Sequence, residues 1–94
     1  MKGAYPVIID KKTLVVYVPD FDIRTQGTDF ENCIEMAREA IGLSGITLED
    51  IGKTIPKPSY DLPESGADSI GTFVDVDFEY YRRLEDNKMV KRNC

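Results

Sequence analysis

Residues 14–41 read Leu-Val-Val-Tyr-Val-Pro-Asp-Phe-Asp-Ile-Arg-Thr-Gln-Gly-Thr-Asp-Phe-Glu-Asn-Cys-Ile-Glu-Met-Ala-Arg-Glu-Ala-Ile. A change of period inside this stretch decides the fold class. Leu14 to Val18 is apolar and β-branched without alternation, the pattern of a central strand covered on both faces. Pro19 ends it, Pro19–Asp22 forms a bend, and Ile23–Gln26 is a short strand with Gly27 at its exit. From there the apolar residues fall at Phe30, Cys33, Ile34, Ala37 and Ile41, one stripe of a helix. Thr28 with Glu31 fits a capping box, and Asp29 is an equally good N-cap one residue later. The stripe predicts that Ile34 sits in the core with its neighbours. Gly42 and Gly45 should weaken the helix after Ile41. Thr47–Asp50 then starts one more turn, ending at Gly52.

Upstream, Tyr5, Val7 and Ile9 alternate with Ala4, Pro6 and Ile8 in a first strand, and Asp10–Thr13 is a polar turn. Pro6 has no amide donor, so it should stand at an edge or near the strand start. Downstream, residues 53–70 contain Pro56, Pro58, Pro63 and Gly66 without periodicity and read as a long irregular connection. Thr72–Phe78 is the last strand, followed by a short helix over Glu79–Leu84 and a basic tail, Lys88–Cys94. The order is β-β-β-α-β: an α+β fold made of a three-stranded antiparallel meander, a crossover helix and a fourth strand. The crossover is right-handed if it lands parallel in the same sheet. The two-faced apolar strand leaves one sheet face for the helix and the other for a second subunit, so a homo-oligomer is expected.

The 94 residues make one small domain, with 41% apolar and 31% charged residues. Nothing in the chain approaches the ~20 apolar residues of a membrane span, nor the apolar core of a signal peptide. The expectation is therefore a cytoplasmic protein without membrane contact. Histidine is absent, which excludes Ser-His-Asp and Cys-His catalysis and every His-containing zinc site. Two cysteines, Cys33 and Cys94, make neither a disulfide scaffold nor a zinc site. Cys33 lies in the apolar stripe and reads as a buried structural thiol, Cys94 as an exposed terminal one. No cofactor is implied.

Charge is uneven. Residues 1–81 carry seven Lys/Arg against fifteen Asp/Glu, and residues 82–94 carry five against two. An acidic body disfavours phosphate-backbone contacts and favours a basic partner. Asp10, Asp20, Asp22, Asp75 and Asp77 are the candidate metal cluster, and Asp75 and Asp77 leave one strand on the same side. With Mg²⁺ they would suit phosphodiester hydrolysis. Asp is equally common where backbone groups need caps. Tyr80-Tyr81-Arg82-Arg83 mixes aromatics and bases as nucleic-acid binders do, over four residues only. For a basic partner, the candidate contacts are Asp20 and Asp22 in the bend and Glu31 and Glu35 on the helix.

Six pieces in sequence resemble the HicB antitoxin family. They are Tyr5-Pro6, Val16-Tyr17-Val18-Pro19-Asp20, Thr25-Gln26-Gly27, the helix Asn32–Ile41, Ile55-Pro56-Lys57-Pro58-Ser59 and Val74-Asp75-Val76-Asp77. The chain departs from the family at Phe21-Asp22-Ile23, where members commonly carry a proline-glycine turn. The resemblance implies a degenerate ribonuclease H-like fold without catalysis that neutralises a HicA-type toxin, a small basic RNA-cleaving protein. It implies residues 1–81 as the toxin-binding domain. Residues 82–94 are then a basic tail leading to an absent C-terminal DNA-binding segment, through which the full-length protein represses its operon. The alternatives are a metal-dependent, ribonuclease H-like nuclease built on Asp75 and Asp77, and a regulator that works without a toxin.

Overall fold

A computed structural model describes residues 1–64 and 66–92. The elements are β1 (Lys2–Asp10), β2 (Val15–Val18), β3 (Ile23–Gln26), α1 (Phe30–Asp50), β4 (Ser69–Asp77) and α2 (Phe78–Arg92). The fold is α+β in the expected β-β-β-α-β order, with α2 added. The sheet runs β3-β2-β1-β4 and every neighbouring pair is antiparallel. β4 therefore returns antiparallel to β1, and the handedness rule for parallel crossovers does not apply to α1. No helix among the described residues is long and apolar enough to cross a membrane.

The core lies between α1 and one sheet face. Tyr5, Val7 and Ile9 of β1, Val16 and Val18 of β2, and Val74 and Val76 of β4 meet Cys33, Ala37 and Ile41 of α1, all buried. Phe30 and Ile34 pack against this core only half-buried, so the stripe is centred on Cys33, Ala37 and Ile41. Cys33 is a buried free thiol, and its Sγ lies 3.3 Å from the Leu14 carbonyl. Cys94 lies outside the described residues.

Local chemistry accounts for the element ends. Asp10 Oδ1 accepts the amides of Lys12 (2.8 Å) and Thr13 (2.9 Å), closing the β1–β2 turn. These two bonds hold the Asp10 carboxyl below its ordinary pKa of 3.8. Leu14 is not in the strand. Its φ is 61°, a left-handed conformation that costs a non-glycine residue energy. Its carbonyl accepts the Gly27 amide at 3.0 Å, tying the hairpin to the start of α1. Asp29 is the N-cap of α1 and accepts the Asn32 amide at 2.7 Å, while Asn32 Oδ1 accepts the Thr28 amide. The reciprocal cap is thus Asp29 with Asn32, rather than Thr28 with Glu31.

Three expectations are corrected. α1 does not weaken at Gly42 and Gly45 but runs unbroken to Asp50, because these glycines seat the rings of Tyr81 and Phe78 from α2. β4 begins at Ser69 and yields Phe78 to α2, and α2 continues through Arg92 rather than stopping near Leu84. Pro6 is mid-strand in an interior strand. The β1–β2 register, Ile8 opposite Tyr17, would place Pro19 opposite Pro6, past the end of β2. The missing donor therefore breaks no ladder bond.

The connection from Gly52 to Asp68 is irregular but anchored. The Tyr5 hydroxyl donates to the Pro56 carbonyl at 2.6 Å, and Asp20 Oδ2 accepts the Ser59 amide at 2.9 Å. Farther on, Leu62 and the Pro63 carbonyl lie against Gly71 of β4.

Candidate functional site

The most distinctive surface is the outer side of α1. Glu31, Glu35 and Glu39 are exposed and spaced four residues apart, so they form one acidic ridge about 12 Å long at the helical rise. The ridge leads to Leu43, which lies between two grooves. One groove, about 260 Å³, is lined by Glu39, Leu43, Tyr80, Tyr81, Leu84 and Glu85 between α1 and α2. Tyr80 and Leu84 remain exposed beside it. The other, about 370 Å³, is lined by Phe21, Ile23, Leu43, Ser44, Thr47 and Leu48 between α1 and the β2–β3 bend. Carboxylates flanking apolar side chains suit a partner that presents lysine or arginine beside apolar anchors.

Not all the sequence candidates belong to this surface. Glu31 and Glu35 are on the ridge. Asp22 is exposed in the bend, with φ 50°, and its Oδ1 accepts the Tyr17 hydroxyl at 2.9 Å. Asp20 is half-buried and holds the Ser59 amide. The bend lies beside residues 43–48 of α1, at least about 18 Å along the helix from Glu31. The four acids thus form two separate patches. Glu39 and Leu43 were missed, although the four-residue spacing that continues Glu31 and Glu35 to Glu39 is visible in the sequence.

The remaining charged candidates have internal partners. Arg38 donates from Nε to the Asp75 carbonyl and from Nη2 to Asp75 Oδ1, both at 2.9 Å. The guanidinium holds the Asp75 carboxyl below the ordinary carboxylate range. Asp77 Oδ1 accepts the Glu79 amide at the start of α2. Asp10 closes its turn. Among the described residues no three His, Cys, Asp or Glu side chains are grouped to hold a metal ion. Arg82 donates to Asp50 (2.8 Å), Glu49 (3.1 Å) and the Ile46 carbonyl (3.3 Å), clamping α2 to the end of α1. In Tyr80-Tyr81-Arg82-Arg83, Tyr81 and Arg82 are therefore structural, leaving Tyr80 and Arg83 exposed.

No family model matches the chain, and no curated protein is similar enough to count as a relative. The fold is similar to a solved chain described as "Toxin-Antitoxin complex from Streptococcus pneumoniae", with a TM-score of 0.70 and 20% identity. The likeness covers 86% of this chain and 73% of that one.

Proposed function

We propose that this chain is the toxin-binding domain of a HicB-like antitoxin, a binding protein rather than an enzyme. It neutralises a small basic RNA-cleaving toxin of the HicA type. The observation that carries the reading is the likeness of its fold, over 86% of the chain, to a chain from a toxin–antitoxin complex. The acidic ridge of α1 supports it, because a cationic partner is drawn to such a surface and its encounter is accelerated. Glu31 and Glu35 supply that attraction, joined by Glu39. Asp20 and Asp22 act at the bend, beside the apolar groove. The fold is read as a degenerate ribonuclease H-like one, in which Asp75 and Asp77 serve Arg38 and the α2 start instead of a metal. Repression of the operon belongs to a separate C-terminal DNA-binding segment, since the body presents acid to a DNA backbone.

The test uses the small basic protein encoded beside this one, measuring its association with the chain and its RNA cleavage. Binding that abolishes cleavage, with an on-rate that falls as salt rises, is expected. Reversing Glu31, Glu35 and Glu39 to lysine together should slow association by about tenfold or more. No association between the two proteins would overturn the reading. So would cleavage of RNA by the chain alone in Mg²⁺ or Mn²⁺, lost on Asp75→Asn.

A further inference from the structure

The two grooves that share Leu43 as a wall are both lined without a base. Glu39, Tyr80, Tyr81, Leu84 and Glu85 join Leu43 on the α2 side, and Phe21, Ile23 and Leu48 join it on the bend side, with Ser44 and Thr47. Two other grooves hold lysines, Lys2 in one and Lys53 and Lys57 in the other. Asp22 stands exposed between Phe21 and Ile23. Neither Asp22 nor Glu39 is in an ion pair among the described residues. The surface across α1 is therefore an apolar saddle, with Leu43 as its crest and uncompensated carboxylates on its rim.

Both walls of the saddle are fixed by contacts within the chain. Tyr81 is seated against Gly42, the residue before Leu43, and Tyr80 stands edge-on to Tyr81 with ring centroids 5.1 Å apart. Arg82, bonded to Asp50, Glu49 and the Ile46 carbonyl, holds this part of α2 on α1. On the other side Phe21 packs edge-on against the buried Tyr5, centroids 5.0 Å apart, and its neighbour Asp20 accepts the Ser59 amide. Walls that need no ordering on binding keep the entropic cost of contact low.

We propose that this saddle is the anchor site of the cationic partner. One apolar side chain of the toxin seats on each side of Leu43, the two about 10 Å apart across the width of a helix. Its lysines or arginines meet Asp22 and Glu39. This role, which rests on the toxin-binding reading, separates two tasks on one face of the molecule. The exposed ridge of Glu31, Glu35 and Glu39 acts at long range and sets how fast the partner arrives. The crest and its two grooves act only on contact, where water is excluded, and set how slowly it leaves. Charge selects the occupant. A second copy of this chain, with a net charge of −5, would bring acid to acid, and a nucleic acid would bring phosphate.

Rates of association and dissociation with the small basic protein encoded beside this one test it. Leu43→Ala should raise the dissociation rate by about tenfold or more and leave the association rate within about twofold. Reversing Glu31 and Glu35 to lysine should do the opposite, slowing association and leaving dissociation nearly unchanged. Leu43 also packs on the core, so where that variant does not fold, two exposed positions decide. Tyr80→Ala opens one groove and Thr47→Arg fills the other with a cation, and each should weaken binding by about tenfold. Ala67→Arg adds the same charge beside the β1–β2 turn, at the opposite end of the sheet from the bend, and should change binding by about twofold at most. A parent that binds while Tyr80→Ala, Thr47→Arg and a folded Leu43→Ala all dissociate at its rate would overturn the proposal and leave the toxin-binding reading standing. So would Ala67→Arg weakening binding as much as Thr47→Arg. Self-association of the chain that is lost on Tyr80→Ala would assign the saddle to a second copy and overturn the proposal as well. No association of the parent overturns the toxin-binding reading itself, and this role with it.

Discussion

The ring of Tyr81 occupies the space where a side chain on Gly42 would have to begin. Phe78 stands in the same relation to Gly45, three residues farther along α1. The two rings, with the Arg82 clamp, fix α2 on α1.

Gly42→Ala follows directly. At an open helical position this change stabilises by about 1 kcal/mol. Here the added carbon meets the Tyr81 ring, and the overpacking should destabilise by roughly 1–3 kcal/mol in urea unfolding. Combining it with Tyr81→Ala should cost less than the sum of the single changes, since the second removes the clash. A Gly42→Ala protein more stable than the parent would mean that α2 does not rest on α1 there.

The centre of the apolar stripe can be located by truncation. Ile41 is fully buried and Ile34 only half-buried. Ile41→Ala should lose about 2–5 kcal/mol. Ile34→Ala should lose roughly half as much, in proportion to the apolar area it hides. Equal losses in denaturant titrations would place α1 in a different rotation on the sheet.

Burial pushes the Tyr5 phenol up to about 12 from its ordinary 10, with the Asp20 charge adding to the rise. A raised phenol pKa means that the neutral form is favoured in the folded chain. Its stabilisation is complete below pH 10 and is lost as pH rises from 10 towards 12. Tyr5→Phe should cost about 0.5–1.5 kcal/mol at neutral pH by removing the bond to the Pro56 carbonyl. Between neutral pH and about pH 11 the parent should lose more stability than the variant, because only the parent must keep this phenol protonated. Parallel losses in the two proteins would show that this phenol ionises as freely when folded as when unfolded.

The succession of elements along the chain and the core strip of α1 were legible because period alone carries them: Leu14–Val18 without alternation, then Cys33, Ala37 and Ile41 at helical spacing. What escaped local reading depends on partners distant in the chain. Gly42 and Gly45 look like helix breakers until Phe78 and Tyr81, more than thirty residues on, are set against them. Pro6 looks like an edge residue until the β1–β2 register shows that no acceptor waits for it. Leu14 passes for a strand residue because its left-handed backbone leaves no mark in a pattern of apolar side chains. At the surface, Glu31 and Glu35 were legible as exposed helix acids. Their continuation into a groove was not, since Tyr80 and Leu84 come from another element. Asp20 and Asp22 lie only two residues apart, but the fold gives one to Ser59 and the other to Tyr17.

The β1–β4 ladder joins residues 2–10 to residues 69–77, nearly opposite ends of the described chain. A ribosome releases these segments in order, so β1 emerges long before the strand that covers its second edge. Until β4 arrives, β1 can pair only with β2, and the core lacks Val74, Val76 and Phe78. Closing that last and longest loop carries the largest closure entropy of the three strand pairings, and pairings this distant in sequence slow folding. During synthesis the nascent chain exposes a naked, apolar strand edge, which makes this interval the one in which misassembly competes with folding.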